Sequence, residues 1–113
     1  MELAQLIAEG RVMMIGAVRQ EVLSGIQLPE QYRKLRTALR AFPDAILETS
    51  DFEEAANCFN RCRGKGVQGS NTDFLLCAVA LRFNVALLTT DADFDQFAKV
   101  LRLKLHRPRV GLS

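Results

Sequence analysis

The sequence lacks most of the residues that would announce a function. In 113 residues there is no tryptophan, one tyrosine and one histidine. The seven phenylalanines and Tyr32 fall mostly inside apolar patterns, so they read as core and not as platforms for stacking bases. Cysteine is scarce, at Cys58, Cys62 and Cys77, all within helical patterns. Together with His106 they do not supply the close ligand pairs that zinc requires. Three thiols, an odd number, suit a reducing compartment and read as small core or near-surface side chains. No stretch approaches about 18 uninterrupted apolar residues, so no transmembrane helix is expected. No basic segment precedes an apolar run at the start, so no signal peptide is expected. An excess of one charge is missing too. Fifteen Lys and Arg against thirteen Asp and Glu leave a net charge of +2, which alone does not argue for nucleic acid. What is present is 49% apolar and 25% charged residues in a length that suits a single domain over 1–113.

Apolar segments of helix and strand length alternate along the chain. Residues 2–9 read as a short helix stopped by Gly10, and 11–15 (RVMMI) as a buried strand. Helices follow at 17–26 and 30–42, the second ended by Pro43. Residues 45–48 (AILE) read as a strand, and Ser50 or Asp51 as the cap of a helix reaching about residue 63. A Gly-rich loop at 64–70 leads to a helix over 71–83 that is apolar nearly all round. A strand at 85–88, a helix at 92–100, a last strand at 101–105 and a frayed tail at 107–113 complete the chain. Such interleaving predicts a three-layer α/β/α sandwich around a mostly parallel sheet.

Four acids fit this packing poorly. In the helix over 17–26 the apolar positions are 17, 18, 22 and 26, and Glu21 falls between Ala17 and Val18 on the helical wheel. A carboxylate on an apolar face is costly unless hydrated, paired or bound to a cation. Pairing with Arg19 or Arg11 would satisfy it without any function. Asp73 stands in the first turn of a helix whose residues 74–81 are all apolar. It can equally be an acid favoured by the helix dipole behind the cap Ser70-Asn71-Thr72. Asp91 and Asp93 follow the strand VALLTT directly, and an N-cap is the plain structural alternative. Topology gathers them. In a parallel α/β sheet the carboxyl ends of strands and the starts of the next helices share one edge, where such sheets bind ligands. Carboxylates crowded there would repel without a cation, and oxygen donors suit Mg²⁺ or Mn²⁺.

Three segments carry a resemblance. They are Arg11-Val12-Met13-Met14-Ile15 with Val18-Arg19-Gln20-Glu21-Val22-Leu23-Ser24-Gly25; Thr72-Asp73-Phe74-Leu75-Leu76-Cys77-Ala78-Val79-Ala80; and Leu87-Leu88-Thr89-Thr90-Asp91-Ala92-Asp93-Phe94. In this order and spacing they resemble the PIN-domain ribonucleases, particularly the VapC-type toxins of toxin–antitoxin pairs. The resemblance implies a PIN-like fold and a Mg²⁺- or Mn²⁺-dependent endoribonuclease in the cytoplasm. Its metal-site and catalytic acids would be Glu21, Asp73, Asp91 and the supporting Asp93, with Thr89 orienting an acid or the attacking water. It also implies an antitoxin partner and a homodimer. Such proteins normally begin with a strand ending in Asp-Thr or Asp-Ser, and nothing here corresponds to it. The expectation is a domain with that first strand and its acid missing.

Basic residues form clusters. Arg33, Arg36 and Arg40 recur at helical spacing, Arg61, Arg63 and Lys65 surround the Gly-rich loop, and Lys99, Arg102, Lys104, Arg107 and Arg109 follow the last acid. Each cluster can simply be a solvated face. For a ribonuclease they would contact phosphates, with Arg19, Arg61, Arg63 and Lys65 the candidates nearest the site. Two other readings compete. A catalytically inactive PIN-like module would bind an antitoxin or a dimer partner without cutting RNA. A flavodoxin-like receiver domain would need an acidic pair after its first strand, which is absent.

Overall fold

A computed structural model describes the backbone at residues 5–8 and 11–12 and the whole of 13–106. The described elements run β1 (Gln5–Ala8), β2 (Arg11–Met13), α1 (Gly16–Leu23), α2 (Pro29–Leu39), α3 (Thr49–Gly64), α4 (Asn71–Phe83), β3 (Ala86–Leu88), α5 (Asp93–Leu101) and β4 (Leu105–His106). The sheet has the order β2-β1-β3-β4. The α/β, PIN-like class stands as expected.

The pairing differs from the expectation in one strand. β3 and β4 are parallel, with Leu87 opposite Leu105. β1 is antiparallel to both of its neighbours, so the sheet is mixed rather than mostly parallel. This strand lies where a helix over 2–9 was expected; residues 2–4 and 9 fall outside the described residues. A four-residue segment with three apolar residues suits either period, and a pairing on both sides decides it. The strand expected at 45–48 does not form. Only a single parallel bridge, Met14 to Asp44, extends the β2 edge, and Ile46 is 83% exposed. The frayed tail expected at 107–113 also falls outside the described residues.

α4 is the centre of the fold, and its sequence explains why. Ser70 Oγ accepts the Asp73 N–H (3.0 Å), and the Asp73 carboxylate accepts the Ser70 N–H (3.1 Å). This reciprocal capping box satisfies donors that a helix start leaves orphaned. The seven residues from Phe74 to Ala80 are all buried. Asn84 ends the helix in the left-handed conformation, at φ 54°, which asparagine tolerates better than most residues. α4 packs on β1 and β3, while α1 and α3 pack against α4. Phe59, Phe74, Phe97 and Phe94 form a chain of ring contacts with centroids 4.8–5.5 Å apart, tying α3, α4 and α5 together.

α3 begins two to three residues earlier than expected, ahead of Ser50 and Asp51. Glu48 is its N-cap, and Asp51 serves from the third helical position by accepting the Glu48 N–H (2.8 Å). Asp51 is 2% exposed and meets Arg82 at 2.8 Å. That ion pair joins the start of α3 to the end of α4, so the two helices run antiparallel. Cys58, Cys62 and Cys77 are free and buried, as the core reading expected.

Candidate active site

β2 and β3 each pair antiparallel with β1, so they point the same way. Their carboxyl ends therefore lie on one edge of the sheet. The starts of α1 and α5 follow those ends directly. α4 returns along β3 in the opposite sense, so its start lies on the same edge. The expected juxtaposition is thus present at the level of elements: Thr89, Asp91 and Asp93 after β3, Asp73 at the head of α4, and α1 with Glu21 after β2.

The β3 exit is built by local hydrogen bonds. Thr89 is 1% exposed, and its Oγ1 accepts the Asp91 N–H (2.9 Å). Asp91 Oδ1 accepts the Asp93 N–H (2.9 Å), and the Asp91 carbonyl accepts the Phe94 N–H (3.2 Å). Thr89 thus fixes the turn that presents Asp91, and Asp91 opens α5. Asp91 and Asp73 are half-buried, whereas Asp93 is exposed. Both half-buried acids accept a helix-start N–H, the geometry the structural alternative required. Such bonds occupy one oxygen of each carboxylate that they cap with.

Glu21 differs from its expectation. α1 is eight residues long with Val18 its one buried residue, and Glu21 is exposed. The apolar arc of the wheel is therefore only partly covered. Arg19 pairs with Asp44 at 2.9 Å, not with Glu21. It also donates to the Leu39 carbonyl (3.1 Å) and the Phe42 carbonyl. Arg19 is thus a tie between α1 and the end of α2. Asp44, bridged to Met14, belongs to the same edge. Sequence reasoning passed over it because Pro43-Asp44 looks like an ordinary turn.

Arg61, Arg63 and Lys65 are exposed near the end of α3. Arg61 donates to the Val100 carbonyl of α5 (3.1 Å). Arg63 borders a hollow of about 170 Å³ beside Gly69 and Phe74. Gly69 is required there: a Cβ would stand 2.5 Å from the Phe97 ring.

All-oxygen donors of this kind match a hard divalent cation. Their spacing does not close around one: among the described residues no group of three or more His, Cys, Asp or Glu could hold a metal ion. Among the described residues no helix is long and apolar enough to cross a membrane.

An acid-bearing edge of a mixed α/β sheet, with a Thr-x-Asp-x-Asp exit and an acid at the head of a buried helix, is the arrangement that the resemblance implied. The chain belongs to the PIN domain family, whose model matches residues 1–100. It is 29% identical over 108 residues to the VapC ribonuclease Mb1587 of Mycobacterium bovis and to Ribonuclease VapC11 of Mycobacterium tuberculosis. Each alignment covers 91% of this chain and 80% of the relative.

Proposed function

We propose that this chain is an endoribonuclease of the toxin–antitoxin kind, hydrolysing RNA phosphodiester bonds at the β3 edge. One observation carries the reading. The elements that carry Thr89, Asp91, Asp93 and Asp73 share the carboxyl edge of the sheet in a PIN domain chain that is similar to proteins named VapC ribonucleases. The buried Thr89 hydroxyl holds the turn that presents Asp91. The carboxylates of Asp91 and Asp73 orient water and one of them takes its proton as it attacks phosphorus; the bond from phosphorus to the leaving sugar oxygen breaks, and that oxygen takes a proton from solvent. Mg²⁺ or Mn²⁺ belongs to the proposal, with Glu21, Asp73, Asp91 and Asp93 as the donors, which would have to draw together around it because they form no metal-holding group as they stand. When bound, such a cation would supply charge stabilisation at the phosphate. The partners that accompany this reading are an RNA substrate, an antitoxin protein and a second copy of the chain, in the cytoplasm.

The test is cleavage of a labelled RNA by the purified chain in Mg²⁺, in Mn²⁺ and with a chelator. The reading expects cut product with either ion and none with the chelator. Equal cleavage in chelator overturns the metal requirement, and no cleavage under any condition overturns the enzyme. A second reading, an inactive PIN-like binding module, is favoured by the capping bonds of Asp73 and Asp91, which give both acids a structural task. It expects antitoxin binding without RNA cleavage.

A further inference from the structure

A groove separates the last turns of α3 from α5. Its volume is about 1000 Å³, and Arg61 and Lys65 line one wall while Lys99 and Arg102 line the other. Asn60 and Gln96 stand between them. The lining contains four cations, no carboxylate and no aromatic ring. The whole chain is nearly neutral, so this concentration of one sign is local. Part of it has a structural task. Basic side chains near the ends of α3 and α5 offset the helix dipoles, and Arg61 bonds the Val100 carbonyl. That task does not require both walls of one concavity to be cationic.

We propose that this groove holds the phosphate backbone of single-stranded RNA on its way to the acid edge. The inference rests on the ribonuclease reading and adds where the rest of the strand lies. Lys and Arg with amide side chains are the groups that contact phosphates, and such contacts position a strand without reading its sequence. The lack of rings excludes base stacking in the groove. Geometry links it to the edge at both ends. α5 begins at Asp93 on the edge, and Lys99 and Arg102 lie roughly 9–14 Å further along its axis at 1.5 Å per residue. On the other wall, Lys65 opens the loop that delivers Ser70 and Asp73. A strand in the groove therefore leads to the edge within a few nucleotides. Val67, Leu81, Val100 and Leu101 also line the groove, so an acidic peptide with apolar anchors is the competing occupant, and displacement by polyglutamate decides between them.

The test is fluorescence anisotropy of a labelled single-stranded RNA in the presence of a chelator, where the ribonuclease reading expects no cleavage, against salt concentration. The double variants are Lys65→Gln with Lys99→Gln and, separately, Lys65→Glu with Lys99→Glu. These leave the Arg61 tie intact, and circular dichroism checks folding. A matched pair on α2, Arg33→Gln with Arg40→Gln, controls for net charge. The Gln pair is expected to weaken binding at least about tenfold and to flatten the salt slope by about 1.4, at ~0.7 per lost phosphate contact on a single strand. The Glu pair weakens binding further, and the α2 pair does not reach either effect. Wild-type binding that the groove pairs leave unchanged, or that the α2 pair weakens as much, overturns the groove alone. Displacement of the RNA by polyglutamate at equal charge overturns RNA as the occupant. A folded wild type that binds no RNA overturns the ribonuclease reading as well.

Discussion

α4 and α1 each carry a candidate acid, and they hold it by opposite means. α4 buries seven consecutive residues, is capped by Ser70 and Asp73, and stops cleanly at Asn84. α1 buries only Val18, has no side-chain cap, and depends on Arg19 reaching Asp44 and two carbonyls of α2 and the loop that follows it. Asp73 is thus placed by the core itself, whereas Glu21 is placed by a surface tie. The difference teaches that stability and chemistry are entangled at one acid and separable at the other.

The largest effect that sharpens this contrast is in the core beneath Asp73. Phe74→Ala removes a ring that touches Phe59 and Phe97, and about 3–5 kcal/mol of stability should be lost, against roughly 1–2 kcal/mol for Val18→Ala in α1. Chemical denaturation of both variants measures the pair; equal losses would erase the contrast. Next in size is Arg19→Ala. It abandons Asp44 and two carbonyls, and it should loosen α1 by about 1–3 kcal/mol. Hydrogen exchange should then rise in α1 and the 39–44 segment while α4 keeps its protection. Exchange that rises equally in α4 would show the two helices to be one unit. Ser70→Ala is smaller. Loss of the cap should cost about 1 kcal/mol and fall on the α4 side.

A further effect is one of pH. Burial, helped by Glu54, raises the Cys58 thiol from 9.0 to about 11, and burial raises Cys62 and Cys77 as well. The unfolded chain therefore gives up these protons first. Stability is complete below pH 9 and falls as pH rises from 9 towards 11. Denaturation midpoints on either side of that window should show a loss that Cys58→Ala reduces. All three thiols lie in α3 and α4, so α1 has no share in it.

What was legible follows the same division. The α4 bounds match the expected 71–83, because an apolar run behind a Ser cap leaves no competing structure. β3 and α5 begin within one residue of expectation for similar reasons. The first quarter was harder. Residues 5–8 pair as a strand on both sides, and such pairing is a long-range fact that a short apolar run cannot announce. Residues 45–48 have strand composition but meet no ladder beyond the Met14 bridge. In the site, the order and common edge of the acids were readable from topology. Their engagement was not: the wheel placed Glu21 on an apolar arc that is only partly covered, and Arg19 found Asp44, 25 residues away, as its partner.

The central claim is that the acids at the β3 edge do chemistry and are more than helix caps. Asp91→Asn isolates the two roles, since an asparagine oxygen can still accept the Asp93 N–H while the charge is gone. RNA cleavage by this variant, measured beside its melting temperature, is the direct test. Cleavage should fall by about 100-fold or more, as loss of a catalytic acid or base does, with the melting temperature held. Cleavage at the wild-type rate by a folded Asp91→Asn chain would contradict the claim and leave Asp91 a cap alone.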